Sequence, residues 1–437
     1  MRAMFRSLSN VNYRIWFLGA LVSNVGTWMQ RTAQDWLVLT KLTDQDAAAV
    51  GLVMALQFAP ALLLMPLTGL AADRFDRRHL LMVTQASMGL MGLGLGILTV
   101  TGWVELWHVY LFALLLGIAA AFDAPARQTF VSDLVEGRNL QNAVALNATS
   151  FNAARLIGPA VAGLLTAVVG EGWVFLINSV TFAATIGGLK LIRPDRLFHS
   201  PRAVRARGQI RQGFRYIVGR PDIVVILVIV FLIGTFGLNF PIYTSTMASV
   251  EFHRGAADFG LLSSTMAVGS VVGALLSARR DRPRMSIVFF AALAFGLTCL
   301  ISALMPGFWI FAASLALIGV ASQTLMTTAN ATVQLTTDPI MRGRVMSVYM
   351  AIFVGGTPLG APIVGWVANE LGPRWGLGVG AASGILAFGV AVAWLLSSRR
   401  VRIRYDSEAR LRFRIKRGLP VSARSELSAD EGAATRA

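Results

Sequence analysis

A chain of 437 residues with 55% hydrophobic content, 14% charged residues and 42 glycines reads as a polytopic membrane protein, not as the soluble domains its length alone would allow. The formal net charge of +17 invites a nucleic-acid reading, but no basic face is interleaved with aromatics on a soluble module, so nucleic acid is set aside as a partner. The single cysteine, Cys299, permits no intrachain disulfide.

A hydrocarbon core of about 30 Å needs about 20 mostly apolar residues per helix, and the sequence offers twelve such runs. They are Trp16 to Leu39, Val50 to Leu70, Leu80 to Thr101, Trp107 to Ala124, Leu140 to Val169, Trp173 to Ile192, Ile223 to Ala248, Phe259 to Ser277, Met285 to Met305, Phe308 to Ala329, Val345 to Asn369 and Trp375 to Leu396. Counted from an inside N-terminus, the connections on that side and both tails, with Lys190 at the inner end of the sixth run, hold 34 of the 39 Lys and Arg residues. The other side has only Lys41, Arg254 and Arg374, while Arg31 and Arg155 lie within spans. That asymmetry predicts cytoplasmic termini in an inner (plasma) membrane, with the basic excess attracting anionic lipid heads. Trp103, Trp107, Trp173, Trp309 and Trp375 fall near the predicted outer span ends, where an interfacial belt belongs.

The first span is the most informative. Asn24, Trp28, Arg31 and Asp35 follow at spacings of four, three and four, which places them on one helical face, and Gln34 widens that stripe. A charge at the bilayer centre costs about 2.5–3.5 kcal/mol on insertion scales, so the stripe is expected to face a protein interior or a watery cavity. Two roles fit: a self-neutralising i,i+4 pair of Arg31 with Asp35, or a substrate or proton pathway.

Between the second and third runs lies Gly69-Leu70-Ala71-Ala72-Asp73-Arg74-Phe75-Asp76-Arg77-Arg78, expected as a short charged hairpin. Gly69 lets the helix end pack closely, Asp73 can cap a neighbouring helix N-terminus, and Arg77 and Arg78 are available to pair across an interface. The fourth run ends in Asp123-Ala-Pro125-Ala-Arg127, where Pro125 is expected to break the helix. Asp123 has two candidate partners, Arg127 locally or the Arg77/Arg78 end of the loop.

In the fifth run Arg155 lies near mid-membrane, followed by Gly158, Pro159 and Gly163; Ala154, Gly158 and Ala162 make a small-residue face on which another helix can approach closely. Eight arginines against Asp195 alone mark 193–220 as a linker, with an amphipathic helix around Ile210, Phe214, Ile217 and Val218 lying on the inner leaflet. The second half repeats the first in outline. Asp281-Arg282 follows Asp73-Arg74 by 208 residues, and Gly360 and Gly365 follow Gly158 and Gly163 by 202. Six spans, a linker and six related spans fit a pseudo-twofold transporter with its site near the midplane. The later spans carry no deep charge, only polar groups such as Asn239 beside Pro241, Gln323, Thr327, Thr328 and Asn330. A cavity with that balance suits a neutral or anionic amphiphile better than a cation. The tail is basic from Arg399 to Arg417, expected to lie on the membrane or form a short strand, and disordered beyond Gly418. No catalytic constellation or metal-ligand spacing is present, since His79, His108, His199 and His253 fall in loops or at span edges.

The charged loop resembles the G-x-x-x-D-R-x-G-R-R pattern between helices 2 and 3 of the major facilitator superfamily, departing from it at Asp76, where glycine is usual. The helix 5 element at Gly158, Pro159 and Gly163 is similar to the G-P-x-x-x-G element of that superfamily's exporters. With the Trp28 to Leu39 segment, Asp123 to Arg127 and Arg342 to Ser347, the likeness is to the enterobactin-exporter-like and drug-efflux branch. It implies an all-α membrane protein of twelve transmembrane helices in two pseudo-symmetric six-helix bundles, 1–192 and 222–397, joined by a basic linker, 193–221, and followed by a tail, 398–437. It further implies proton-coupled export of a small amphiphile such as a drug or siderophore-like metabolite, by a monomer in contact with protons and membrane lipids and with no bound cofactor. One proton crossing gains ~2.3 kcal/mol per 100 mV. Asp35 is the candidate carrier: desolvation favours its neutral form and a close Arg31 opposes it, so their contact would have to change during the cycle. Gly69, Asp73, Arg74, Arg77, Arg78, Asp123 and Arg127 are assigned to gating. An importer or uniporter would share the topology, and a scaffold without transport would use the same bundle but would not need the stripe.

Overall fold

The computed structural model describes residues 6–198, 209–280, 283–397, 401–405 and 413–417. Within it, α1 (Val11–Leu37) starts where the Asn10 side chain accepts hydrogen bonds from the backbone N–H groups of Asn12 and Tyr13, at 2.9 and 3.3 Å. Its 27 residues, at 1.5 Å each, make about 40 Å, enough to cross a bilayer. The second run is broken: α2 (Ala47–Leu63) and α3 (Met65–Arg74) meet at 59°. Pro66, in the first turn of α3, has no N–H to continue the α2 ladder.

The remaining helices are α4 (Arg77–Val100), α5 (Leu106–Leu134), α6 (Gly137–Val169), α7 (Glu171–Leu191), α8 (Gln209–Val218), α9 (Pro221–Leu232), α10 (Phe240–Thr246), α11 (Ala256–Ala278), α12 (Met285–Ala303), α13 (Phe308–Thr336), α14 (Pro339–Leu371) and α15 (Pro373–Ser397). Among the described residues, ten helical runs are long and apolar enough to span a membrane, and the bent α2–α3 pair makes eleven if counted as one. The seventh predicted span, like the second, is not continuous. Widened π-helical turns at Ile233–Gly237 and Met247–Glu251 flank the short α10, where Gly237, Asn239 and Pro241 interrupt the apolar run.

Three expectations change on contact with the structure. The charged hairpin is mostly helix, because α3 runs through Arg74 and only Phe75 and Asp76 separate it from α4; Asp76 caps α4 by accepting from the His79 N–H at 2.8 Å. Pro125 does not end its helix. The Asp123–Arg127 ion pair, 2.9 Å, brackets the proline and α5 continues to Leu134. Arg77 and Arg78 do not reach across to a distant body: Arg77 binds Asp133 on α5 at 2.7 Å, and Arg78 donates to the carbonyls of Leu189 and Lys190 at the end of α7. The side chain of Asp73, the pair Asp281-Arg282 and the tail beyond 417 lie outside the described residues. Part of the tail forms an antiparallel pair, β1 (Val401–Tyr405) with β2 (Phe413–Arg417), with Ile403 opposite Ile415.

Packing is organised in two sets. In the first, α1 lies on α6 and α7, α4 on α5 and α7, and α2 on α5; in the second, α11 lies on α13, α12 on α13 and α15, and α14 on α15. Two seams join them, α2 against α14 and α6 against α11. Trp103, Trp107, Trp173, Trp309 and Trp375 are all exposed at helix ends, free to sit in an interfacial layer.

Candidate functional site

Between the two sets lies a cavity of about 160 Å³, walled by α1, α2 and α6 from one side and by α10, α11, α14 and the turn before α10 from the other. From α1 it takes Trp28, Arg31, Thr32 and Asp35; from α6, Arg155 and Pro159. Four residues of the predicted site therefore converge on one cavity. Two do not. Asn24, one turn nearer the termini, accepts from Arg127 Nη1 at 3.5 Å, and Gln34 is buried off the cavity with its Nε2 unpartnered.

Of the two roles open to Arg31 and Asp35, the local ion pair is not formed. Among the described residues Arg31 makes no hydrogen bond, its Nε is buried without a partner, and its guanidinium lies over two rings, 5.3 Å from the Trp28 centroid and 5.1 Å from that of Phe58. Arg155 approaches the same indole at 5.8 Å. Aromatic quadrupoles thus hold both cations where carboxylates hold Arg77, Arg127, Arg220 and Arg374, at 2.7 to 2.9 Å. Asp35 is buried at 5% exposure and borders the cavity.

Why the chain folds this way locally is read from its glycines. A Cβ on Gly158 would stand 2.5 Å from Trp28 Cβ, so only glycine lets α6 press onto α1 beside the indole. One turn on, Gly163 faces α11, where a Cβ would meet the Ala256 carbonyl at 2.6 Å. Their counterparts repeat the roles: Gly360 abuts Thr235 in the run that follows α9, and Gly365 abuts Ala47 on α2. In each set, then, the first glycine seats its helix on a neighbour in the same set and the second seats it on the other set.

The second-half wall was not legible in advance as a site. Leu238, Phe240, Pro241, Thr244, Phe259, Ser263 and Met266 line it, and Met54, Gln57 and Phe58 of α2, on the opposite wall, were likewise not singled out. The signal available was the Gly and Pro interruption of an otherwise apolar span, which marks the broken helices that border transporter sites. Away from the termini the cavity is closed. Trp36 stacks on Phe259 at 5.6 Å, the Gly163 and Gly365 seams bring backbones together, and Asn369 of α14 both accepts from the Ala47 N–H at 2.6 Å and donates to the Asp46 carboxylate. Toward the termini Phe151, edge-on to Trp28 at 5.9 Å, is 47% exposed, so the α6 face leading out of the cavity is open at that end.

Of the residues assigned to gating from the sequence, Asp123 and Arg127 pair with each other, while Arg77 and Arg78 bind elsewhere on α5 and α7. Asp123 is buried and accepts from Thr84 Oγ1 (2.8 Å), Gln85 Nε2 (2.7 Å) and Arg127 Nε (2.9 Å), so the local partner prevails over Arg77 and Arg78. Arg127 also lies over Trp16 at 5.4 Å. Gly69 is buried on α3, which packs on α5, and Arg74 is exposed.

The sequence profile of the transmembrane secretion effector family matches residues 3–418. The chain is 26% identical over 370 residues to a staphyloferrin A transporter of Staphylococcus aureus, covering 82% of this chain and 90% of that one. It is 25% identical to the multidrug efflux pump Tap of Mycolicibacterium fortuitum over 81% of this chain and 88% of that one. With the enterobactin exporter EntS of Citrobacter koseri it shares 24% identity over 88% of this chain and 90% of that one. In fold it is similar to a D-xylose-proton symporter, with a TM-score of 0.69 at 13% identity over 86% of this chain and 95% of that one. It is also similar to an inward-facing bacterial homolog of the lysosomal transporter Spinster, with a TM-score of 0.67 at 15% identity over 89% and 97%. An all-helical bundle with a cavity between two packed sets, matched over nearly its whole length by this profile, places the chain in the transmembrane secretion effector family of the major facilitator superfamily.

Proposed function

We propose that the protein is a secondary transporter that exports a small amphiphile, neutral or anionic, from the cytoplasm by alternating access coupled to inward proton flow. The observation that carries this reading is the cavity between the two helix sets, charged on its α1 and α6 wall and mostly apolar elsewhere. An amphiphile needs both surfaces. Relatives named as siderophore and multidrug transporters support the substrate class.

We count α1 as a span despite its charges, because its polar face is turned into the cavity, and the bent α2–α3 pair as one span, giving twelve. The paired use of Gly158 with Gly360, and of Gly163 with Gly365, supports two six-helix bodies related by a pseudo-twofold axis, at 1–192 and 222–397. The charge asymmetry supports cytoplasmic termini, which makes the present conformation inward-open. Asp35 carries the proton. It borders the cavity without an ion pair, while Arg31, one turn earlier, is held by rings and is free to approach it in the other conformation. Asp73, Arg74, Arg77, Arg78, Asp123 and Arg127 set the conformational equilibrium and do not touch substrate.

The test is substrate-driven proton exchange in proteoliposomes. Asp35→Asn, inserted at wild-type level, is expected to abolish proton-coupled transport; full proton-driven activity in that variant removes the assignment.

A further inference from the structure

Arg77, Arg127, Arg220 and Arg374 each meet a carboxylate, but among the described residues the two arginines in the cavity do not. Arg31 and Arg155 project from different helices onto one indole, at 5.3 and 5.8 Å from the Trp28 centroid, which puts their guanidinium carbons within about 11 Å of each other. Arg31 Nε is buried with no acceptor, and Gln57 Nε2, another buried donor on the cavity wall, has none either. Two residues of the wall thus carry buried N–H groups that have no acceptor. Among the described residues that line the cavity, the one acid is Asp35. Two cations against one acid leave the cavity net positive whenever Asp35 is ionised, and more so when it is neutral.

Buried donors without acceptors are costly to maintain, at about 1–3 kcal/mol each and more for charged groups, so such a constellation points to a partner that arrives from outside. From this we infer that Arg31 and Arg155 form a two-pronged oxyanion cradle and that the substrate is a dianion: two acid groups on an apolar, ring-bearing body. Trp28 sets the spacing of the prongs. A planar guanidinium offers paired N–H donors that match a carboxylate, and stacking on the indole leaves that donor edge free. The apolar body lies against Phe58, Phe240, Phe259 and Met266 on the remaining wall. A second acid group gives each prong an acceptor of its own. This deepens the export reading and rests on the cavity being the substrate site.

The test uses four probes that share one ring system: naphthalene-1,4-dicarboxylate, naphthalene-1-carboxylate, 1-naphthylmethanol and 1-naphthylmethylammonium. Binding to the full chain in nanodiscs is measured by titration calorimetry. The dicarboxylate is expected to bind about tenfold or more tighter than the monocarboxylate, the gain from one further charge-assisted hydrogen bond. Arg31→Gln and Arg155→Gln should each bring the dicarboxylate down to the monocarboxylate level while changing the alcohol by less than about threefold. Equal binding of the two acids to the wild-type protein overturns the cradle, and that comparison needs no variant to fold. Thr357→Trp, which fills the cavity from α14, separates the two levels of the reading. If it abolishes binding of all four probes while the two acids bind equally, the cavity stands and the cradle falls; if it leaves all four unchanged, both fall.

Discussion

The seam between α6 and α11 closes the end of the cavity away from the termini only because Gly163 has no side chain. A methyl group there would stand 2.6 Å from the Ala256 carbonyl oxygen and 3.0 Å from Gly260 Cα, and both contacts are backbone, which cannot swing aside. Gly163→Ala is therefore an overpacking change, worth about 1–3 kcal/mol against this conformation. If the two bodies separate here when that end opens, the open conformation feels none of that penalty. The equilibrium between the two should then shift by about 5- to 150-fold toward the open form. The pseudo-twofold relation requires the same sign from Gly365→Ala, whose methyl would press on the Ala47 backbone of α2. The measurement is a spin-label distance across the far end, with cysteines introduced at the exposed positions Asp44 and Glu370. The only native thiol, Cys299, is fully buried and contributes little background. Both alanine variants should populate a longer distance than the parent. Unchanged distance distributions in both would refute the view that glycine backbones hold this end shut.

Asp123 accepts three hydrogen bonds at 6% exposure, so Asp123→Ala leaves Arg127 without its carboxylate and should cost about 3–5 kcal/mol in thermal unfolding, with Asp123→Asn losing less. A loss below about 1 kcal/mol would mean that water already screens the cluster. At Asp76 partial burial opposes ionisation, but hydrogen bonds from the His79 N–H and ring, with Arg78 nearby, outweigh it and hold the carboxyl below its ordinary range. Its contribution to the α4 cap is then complete above the unfolded carboxylate pKa of about 4 and is lost as the pH falls through the lower folded value. Asp76→Ala should cost about 1 kcal/mol at neutral pH, and acid melts should show that gap closing; a gap that persists at low pH would contradict the assignment. Asp73→Asn should slow turnover and leave substrate binding near normal, and identical single-turnover kinetics would remove Asp73 from gating.

Much of this protein was decided by its sequence alone. In hydrocarbon each backbone group must be satisfied within its own segment, so apolar length and Gly or Pro interruptions write the spans locally, and every predicted run except the broken second and seventh falls on one helix. The three-and-four spacing of Trp28, Arg31 and Asp35 likewise dictates a shared face whatever that face meets. The meeting itself belonged to the tertiary structure. Sequence proximity favoured Asp35, one turn away, as the partner of Arg31, but Phe58 from α2 and Trp28 took its place. Asn24 lies on the same stripe yet was drawn to Arg127 of α5. Pro125 should have ended a helix, and a pair formed across it kept the helix whole. In each case the competing energies are a few kcal/mol, and the winner is the group that helix packing brings within about 3 to 6 Å, a distance that no local pattern encodes.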